Sequence, residues 1–139
     1  MKRLFLIVIL LLGLFVTAMS QSSPIKIETG AAPGHMPTFE WKETTHNFGK
    51  ISQGNPVNYN FIFENNGKSP LIISHVKASC GCTVMDFTKQ PILPGKTGVV
   101  TAIFDAAAPG AFNKSIRVTA NVEGGSETLF IKGEVIKGN

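Results

Sequence analysis

The stretch VNYNFIFENNGKSPLIISHVKASCGCT, residues 57–83, decides the fold. In its first nine residues Val57, Tyr59, Phe61 and Phe63 alternate with Asn58, Asn60 and Glu64, and only Ile62 breaks the pattern. A period of two sends one set of side chains to a core and the other to water, the signature of a half-buried β-strand. Asn65, Asn66 and Gly67 tolerate positive φ, and Pro70 cannot donate to a ladder, so the chain turns between 65 and 70. Residues 71–78, with Ile72, Ile73 and Val76, make the next strand. It runs into Ser79-Cys80-Gly81-Cys82-Thr83, where Gly81 permits a kink at little steric cost.

The same pattern extends in both directions from this stretch. From residue 38 onward, short apolar runs alternate with turn clusters, and no helical period persists for more than a few residues. Strands are expected at 39–44, 46–51, 57–65, 71–78, 83–87, 97–105, 112–121 and 127–136. Phe112, Ile116, Val118 and Ala120 form an inward set against Asn113, Ser115, Arg117 and Thr119. Gly124-Gly125 suits a tight hairpin, so the last two strands should pair. The class is all-β, a sandwich of seven to eight strands, with Phe61, Phe63, Ile73, Ile116 and either Val100 or Ile103 in one core.

At the N-terminus, Lys2 and Arg3 precede an apolar run over residues 4–16, and small Ala18 and Ser20 follow. Residues 1–20 have the form of a cleaved secretory signal peptide, and the run falls short of the ~20 residues a spanning helix needs. No cysteine near the cleavage point is placed to carry a lipid. Residues 21–37, with Pro24, Pro33 and Pro37 among Ser, Gly and Ala, read as a flexible leader in which His35-Met36 is an isolated pair of soft donors. Residues 38–137 then make one domain.

The chain carries 13 basic and 9 acidic residues. Loss of Lys2 and Arg3 leaves eleven basic residues and a mature charge of +2, and no run of Lys/Arg with interleaved aromatics marks a nucleic-acid binder. The expectation is a periplasmic or secreted protein with no membrane span after signal cleavage. Its partner is then another envelope protein.

Only the cysteines suggest chemistry. Two cysteines in an exported chain point to a disulfide, either Cys80–Cys82 or between molecules. Residues two apart on a strand have Cα atoms about 6.6 Å apart, near the upper limit for a bridge, and a kink at Gly81 would shorten that. Such a bond closes almost no loop, so it would contribute little stability. Packing as small apolar groups is the plainer role for these side chains. A soft-metal alternative enlists His75 and Met85 beside Cys80 and Cys82, a set suited to Cu(I) rather than zinc. Thioredoxin chemistry lacks its Cys-x-x-Cys at a helix start, serine hydrolysis lacks Gly-x-Ser-x-Gly, and no glycine-rich phosphate loop is present. Neither catalytic residues nor a cofactor is expected, and His46 and His75 read as ordinary strand residues.

The order of motifs resembles a known family. His46-Asn47-Phe48-Gly49-Lys50-Ile51, Phe61-Ile62-Phe63-Glu64-Asn65-Asn66-Gly67, Pro70-Leu71-Ile72-Ile73, Ser79-Cys80-Gly81-Cys82-Thr83, Leu93-Pro94-Gly95-Lys96 and Leu129-Phe130-Ile131-Lys132-Gly133 are similar to the bacterial domain of unknown function 1573. That family in turn resembles the immunoglobulin-like domains of the major-sperm-protein and Hydin type. The resemblance implies an immunoglobulin-like sandwich in an exported protein and brings no activity with it. In such a sandwich the strands before and after Asn66-Gly67 belong to different sheets, and the longer Lys68-Ser69-Pro70 connection lets the chain cross over. Two functions stand: a structural or interaction module, and a thiol-redox or copper-handling protein centred on Cys80 and Cys82.

Overall fold

The computed structural model describes residues 34–79 and 83–138, and all eight expected strands form. They are β1 (Phe39–Trp41), β2 (Thr45–Ser52), β3 (Val57–Asn65), β4 (Ile73–Ala78), β5 (Thr83–Phe87), β6 (Thr97–Phe104), β7 (Gly110–Ala120) and β8 (Ser126–Ile136). Sheet A has the order β1-β3-β6-β5, and sheet B the order β2-β8-β7-β4. Every pairing is antiparallel except that of β2 with β8. This is the strand order of a constant-type immunoglobulin domain, with the first strand divided so that its second half joins the opposite sheet.

That division shortens the first strand relative to the expected 39–44. β1 ends at Trp41, the Lys42 N–H still donates to the Ile62 carbonyl (3.0 Å), and by Thr44 the chain is bonded to Phe130 of sheet B. The packing explains the crossing. Phe39 and Trp41 lie against Phe63 of sheet A, with all three ring centroids 4.8 Å apart, whereas His46, Phe48 and Ile51 face the core from sheet B. The Trp41 indole N–H donates to Glu127 Oε2 (2.6 Å), which ties the edge of sheet A to the start of β8.

The crossover after β3 also forms, by a different device from the one the sequence suggests. Asn65, Asn66 and Gly67 do not take positive φ. Gly67 is needed because residues 36–38 run directly over it: a Cβ there would sit 2.5 Å from Pro37 Cα and 2.7 Å from Thr38 N. Leu71 then exchanges two 2.8 Å backbone hydrogen bonds with Ile92 before β4 begins at Ile73 on β7. At the far end β7 and β8 pair as expected through a turn in which Gly125 N–H bonds the Val122 carbonyl, and Gly124 and Gly125 both take φ near +77°.

The core fills the space between the sheets with Phe61, Phe63, Leu71, Val100, Ile116, Val118, Leu129 and Ile131, all fully buried. Ile73 is buried with them, and of the two alternatives on β6 it is Val100, not Ile103, that faces inward. Among the described residues, fully buried Asn65 is the polar exception. Its amide nitrogen donates to the carbonyls of Ser69 (2.8 Å) and Ile92 (2.9 Å), and its oxygen accepts from Gly67 N–H (3.0 Å) and Thr38 N–H (3.3 Å). One side chain thus joins the start of the domain, the β3–β4 crossover and the β5–β6 connection.

Candidate functional site

The outer faces of the two sheets differ in charge. On sheet A, Ile62 pairs with Val99, Asn60 with Thr101 and Glu64 with Thr97, while Glu40 and Asp86 extend the same face to its two edges. The charged strand residues here are all carboxylates. On sheet B the outward positions include Lys50 of β2, Lys77 of β4, Arg117 of β7 and Lys132 of β8, with Glu134 the one carboxylate among them. Each face also carries an exposed apolar side chain, Ile62 on sheet A and Phe130 on sheet B.

Within the cationic face, Lys77 and Arg117 stand directly opposite each other, and Thr128 is the next neighbour across β8. With Ser79 and Ser115 they line a hollow of about 390 Å³. Ser79 N–H donates to the Ser115 carbonyl (2.9 Å), and Ser115 N–H donates back to Ser79 Oγ (3.2 Å), so the end of β4 is held in place. No individual stretch of sequence displays this patch. Its members on β4 and β7 are far apart along the chain and meet only through the pairing of those two strands.

A second cluster closes the opposite edge of the sandwich. The His46 ring of sheet B stacks on Tyr59 of sheet A with centroids 3.6 Å apart and planes 7° apart. Glu43, in the link between β1 and β2, accepts from the Tyr59 hydroxyl through Oε2 (2.8 Å) and lies 3.3 Å from His46 Nδ1 through Oε1. His46 is therefore a strand residue with a bonded ring, as its sequence setting suggests.

Tyr59 has its phenol pKa raised above 10.0, first by the hydrogen bond to Glu43, then by burial, then by the Glu43 charge. The unfolded chain would release this proton near 10.0 and the folded chain only above it. The contribution to stability is therefore complete below the unfolded value and is lost as the pH rises through the folded value. Tyr59 is the single tyrosine of the chain. Its tyrosinate absorbance should titrate with a midpoint above 10.0, and Glu43→Ala should bring that midpoint back toward 10.0; an unchanged midpoint in the variant would separate Tyr59 from Glu43.

Of the residues singled out for thiol or copper chemistry, His75 and Met85 belong to β4 and β5, the terminal strands of the two sheets. His75 is exposed on the outer face of sheet B, in register with Thr119. Met85 belongs to β5 of sheet A, in register with Ala102. Cys80 and Cys82, and with them the possible disulfide, lie outside the described residues. Among the described residues no group of three or more His, Cys, Asp or Glu side chains is arranged to hold a metal ion.

Residues 39–135 match the model of the family described as "Protein of unknown function (DUF1573)". The chain belongs to that family. No curated protein matches this DUF1573 chain. Its fold is similar to that of a protein of unknown function from Porphyromonas gingivalis W83, with a TM-score of 0.66, 17% identity, and coverage of 78% of this chain and 50% of that one. It is similar also to the VesB protease of Vibrio cholerae (TM-score 0.60, 18% identity, 70% of this chain and 32% of that one). A third likeness is to the ASH/PapD-like domain 7 of human CEP192, with a TM-score of 0.62, 13% identity, and coverage of 88% of this chain and all of that one. The DUF1573 chain thus spans half of the first of these proteins and about a third of the second. At these identities the likeness is one of fold.

Proposed function

We propose that this DUF1573 chain is an exported, non-enzymatic interaction module of the bacterial cell envelope, periplasmic or secreted, that binds another envelope protein without a cofactor. The observation that carries this reading is the segregation of charge onto two broad sheet faces, carboxylates on sheet A and cations on sheet B, each with an exposed apolar residue at its centre. Extended faces of this kind suit partners of matching potential, because complementary charge steers encounter and fixes orientation. Export rests on the basic start, apolar run and small residues of positions 1–20.

The mature protein is expected to begin at Gln21, give or take about two residues. Intact mass of the protein recovered from the envelope checks this, and recovery of the full 139 residues in a membrane fraction would refute export. Photo-crosslinking from positions on the two outer faces in intact cells should then trap a protein partner. Traps confined to the β-turns at the ends of the sandwich would count against the sheet faces.

A further inference from the structure

β4 is the terminal strand of sheet B, and among the described residues its outer edge has no strand partner. Exposed strand edges are commonly protected by lysine or by a bulge, and β4 has both, Lys77 and the register shift between Ile73 and His75. That protection does not account for Arg117. Arg117 lies on the inner strand β7 directly opposite Lys77, a placement in which like charges are destabilising. Among the described residues no carboxylate lies within 4.0 Å of either cation. Two uncompensated cations bordered by the hydroxyls of Ser79, Ser115 and Thr128 have the composition of an oxyanion site, in which the guanidinium can bind a carboxylate through two hydrogen bonds. Beside it Phe130, 38% exposed, stands opposite Ser115 and offers an apolar seat.

We propose that the free edge of β4 and the Lys77–Arg117 hollow dock an extended acidic segment of a partner protein. This rests on the reading of the chain as an interaction module and names the partner's chemistry. The backbone of the segment pairs along β4, and its Asp or Glu side chains enter the hollow. A polypeptide fits better than other anions because the unpaired ladder of β4 offers main-chain hydrogen bonds that only another backbone can complete. The strand period of two then brings every second incoming side chain onto the outer face beside Lys77. A nucleic acid would need a longer cationic track, whereas along β8 Lys132 is followed on the same face by Glu134.

The test uses the mature protein and a fluorescein-labelled octapeptide alternating glutamate with threonine, with a control peptide carrying glutamine for glutamate. The acidic peptide should bind about ten-fold or more tightly than the control, weaken with added salt, and lose about ten-fold or more in affinity in the Lys77→Glu, Arg117→Glu double variant. A Lys77→Gln, Arg117→Gln variant, which removes both charges and adds none, should lose affinity in the same direction with an unchanged circular dichroism spectrum. Amide shifts on peptide binding should centre on residues 73–79. Equal affinity for the two peptides, unchanged affinity in both variants, or tighter binding to inorganic phosphate, a single-stranded DNA oligomer or anionic vesicles would each overturn the proposal. If the double variant still crosslinks to the same envelope protein as the wild type, edge docking falls while the module reading stands. Failure of export would remove that reading and leave the peptide measurement to decide the site alone.

Discussion

Phe61→Ala should lower the free energy of unfolding by on the order of 3–5 kcal/mol, the range seen when a buried aromatic ring is truncated and its cavity only partly collapses. Phe61 is fully buried in the middle of β3, in register with Val100 of β6, and the Tyr59 ring meets it edge-on at 4.9 Å. The ring lies between its ladder partner Val100 and the Tyr59 ring of its own strand, in a fully buried position, so the surroundings have little freedom to close over the gap. A loss of that size is a large part of the ~5–15 kcal/mol that stabilises an ordinary domain. Ile62→Ala is the internal control. Ile62 is the next residue of the same strand, on the opposite face and 37% exposed, and its truncation should cost roughly 1 kcal/mol or less. Urea unfolding of the mature protein measures both, and equal costs would mean that the alternation in β3 does not separate core from surface.

That alternation is why most of the fold could be read from the chain. Strand positions follow from side chains that must face either a core or water, and in β3 and β7 the two sets are largely distinct in chemistry. In β6, by contrast, the outward Val99 and Ile103 are as apolar as the inward Val100, which is why the sequence alone leaves Val100 and Ile103 as alternatives. Where the deciding contact is distant in sequence, reading becomes harder. Nothing in residues 39–44 says that the chain leaves sheet A after Trp41, because the reason lies in Phe63 and Glu127. Gly67 was legible as a special position but for the wrong cause, since a turn glycine and a glycine under a crossing backbone look alike in one dimension. Gly98 and Gly133 were silent altogether. Each lies across a ladder from an aromatic, Phe63 and Phe112 respectively, whose ring occupies the space a Cβ would take.

The candidate site was less legible still. The cysteine motif draws the eye because its residue types are rare, whereas Lys77, Arg117 and Lys132 are common residues in ordinary settings. Their juxtaposition depends on the pairing of β4, β7 and β8, and only the pairing of β7 with β8 is announced in the chain, by Gly124-Gly125. The alternation in residues 112–121 does place Arg117 on the outward face. What it cannot give is the identity of the residue opposite.

Asn65→Asp should be among the most damaging single changes in the protein, with a cost of about 3–5 kcal/mol at neutral pH, although the two side chains have nearly the same shape. Asn65 uses its whole hydrogen-bonding capacity, two donors and two acceptors, in a fully buried position. Aspartate keeps the bonds from the Thr38 and Gly67 amides. It loses both donors, and the oxygen that replaces the nitrogen then confronts the carbonyls of Ser69 and Ile92 at 2.8 and 2.9 Å. An ionised carboxylate is repelled there, so burial and the two carbonyls together favour its protonated form in the folded state. With the folded pKa above the unfolded one, the variant is least impaired at acid pH and loses stability as the pH rises through the folded value. Asn65→Ala removes all four bonds but buries no charge, and should cost about 2–4 kcal/mol with no such pH dependence. Urea midpoints at about pH 4.5 and about pH 7 for the wild type and both variants decide the matter. An Asn65→Asp variant as stable as the wild type at neutral pH would mean that the β3–β4 crossover and the β5–β6 connection are not held together by this side chain.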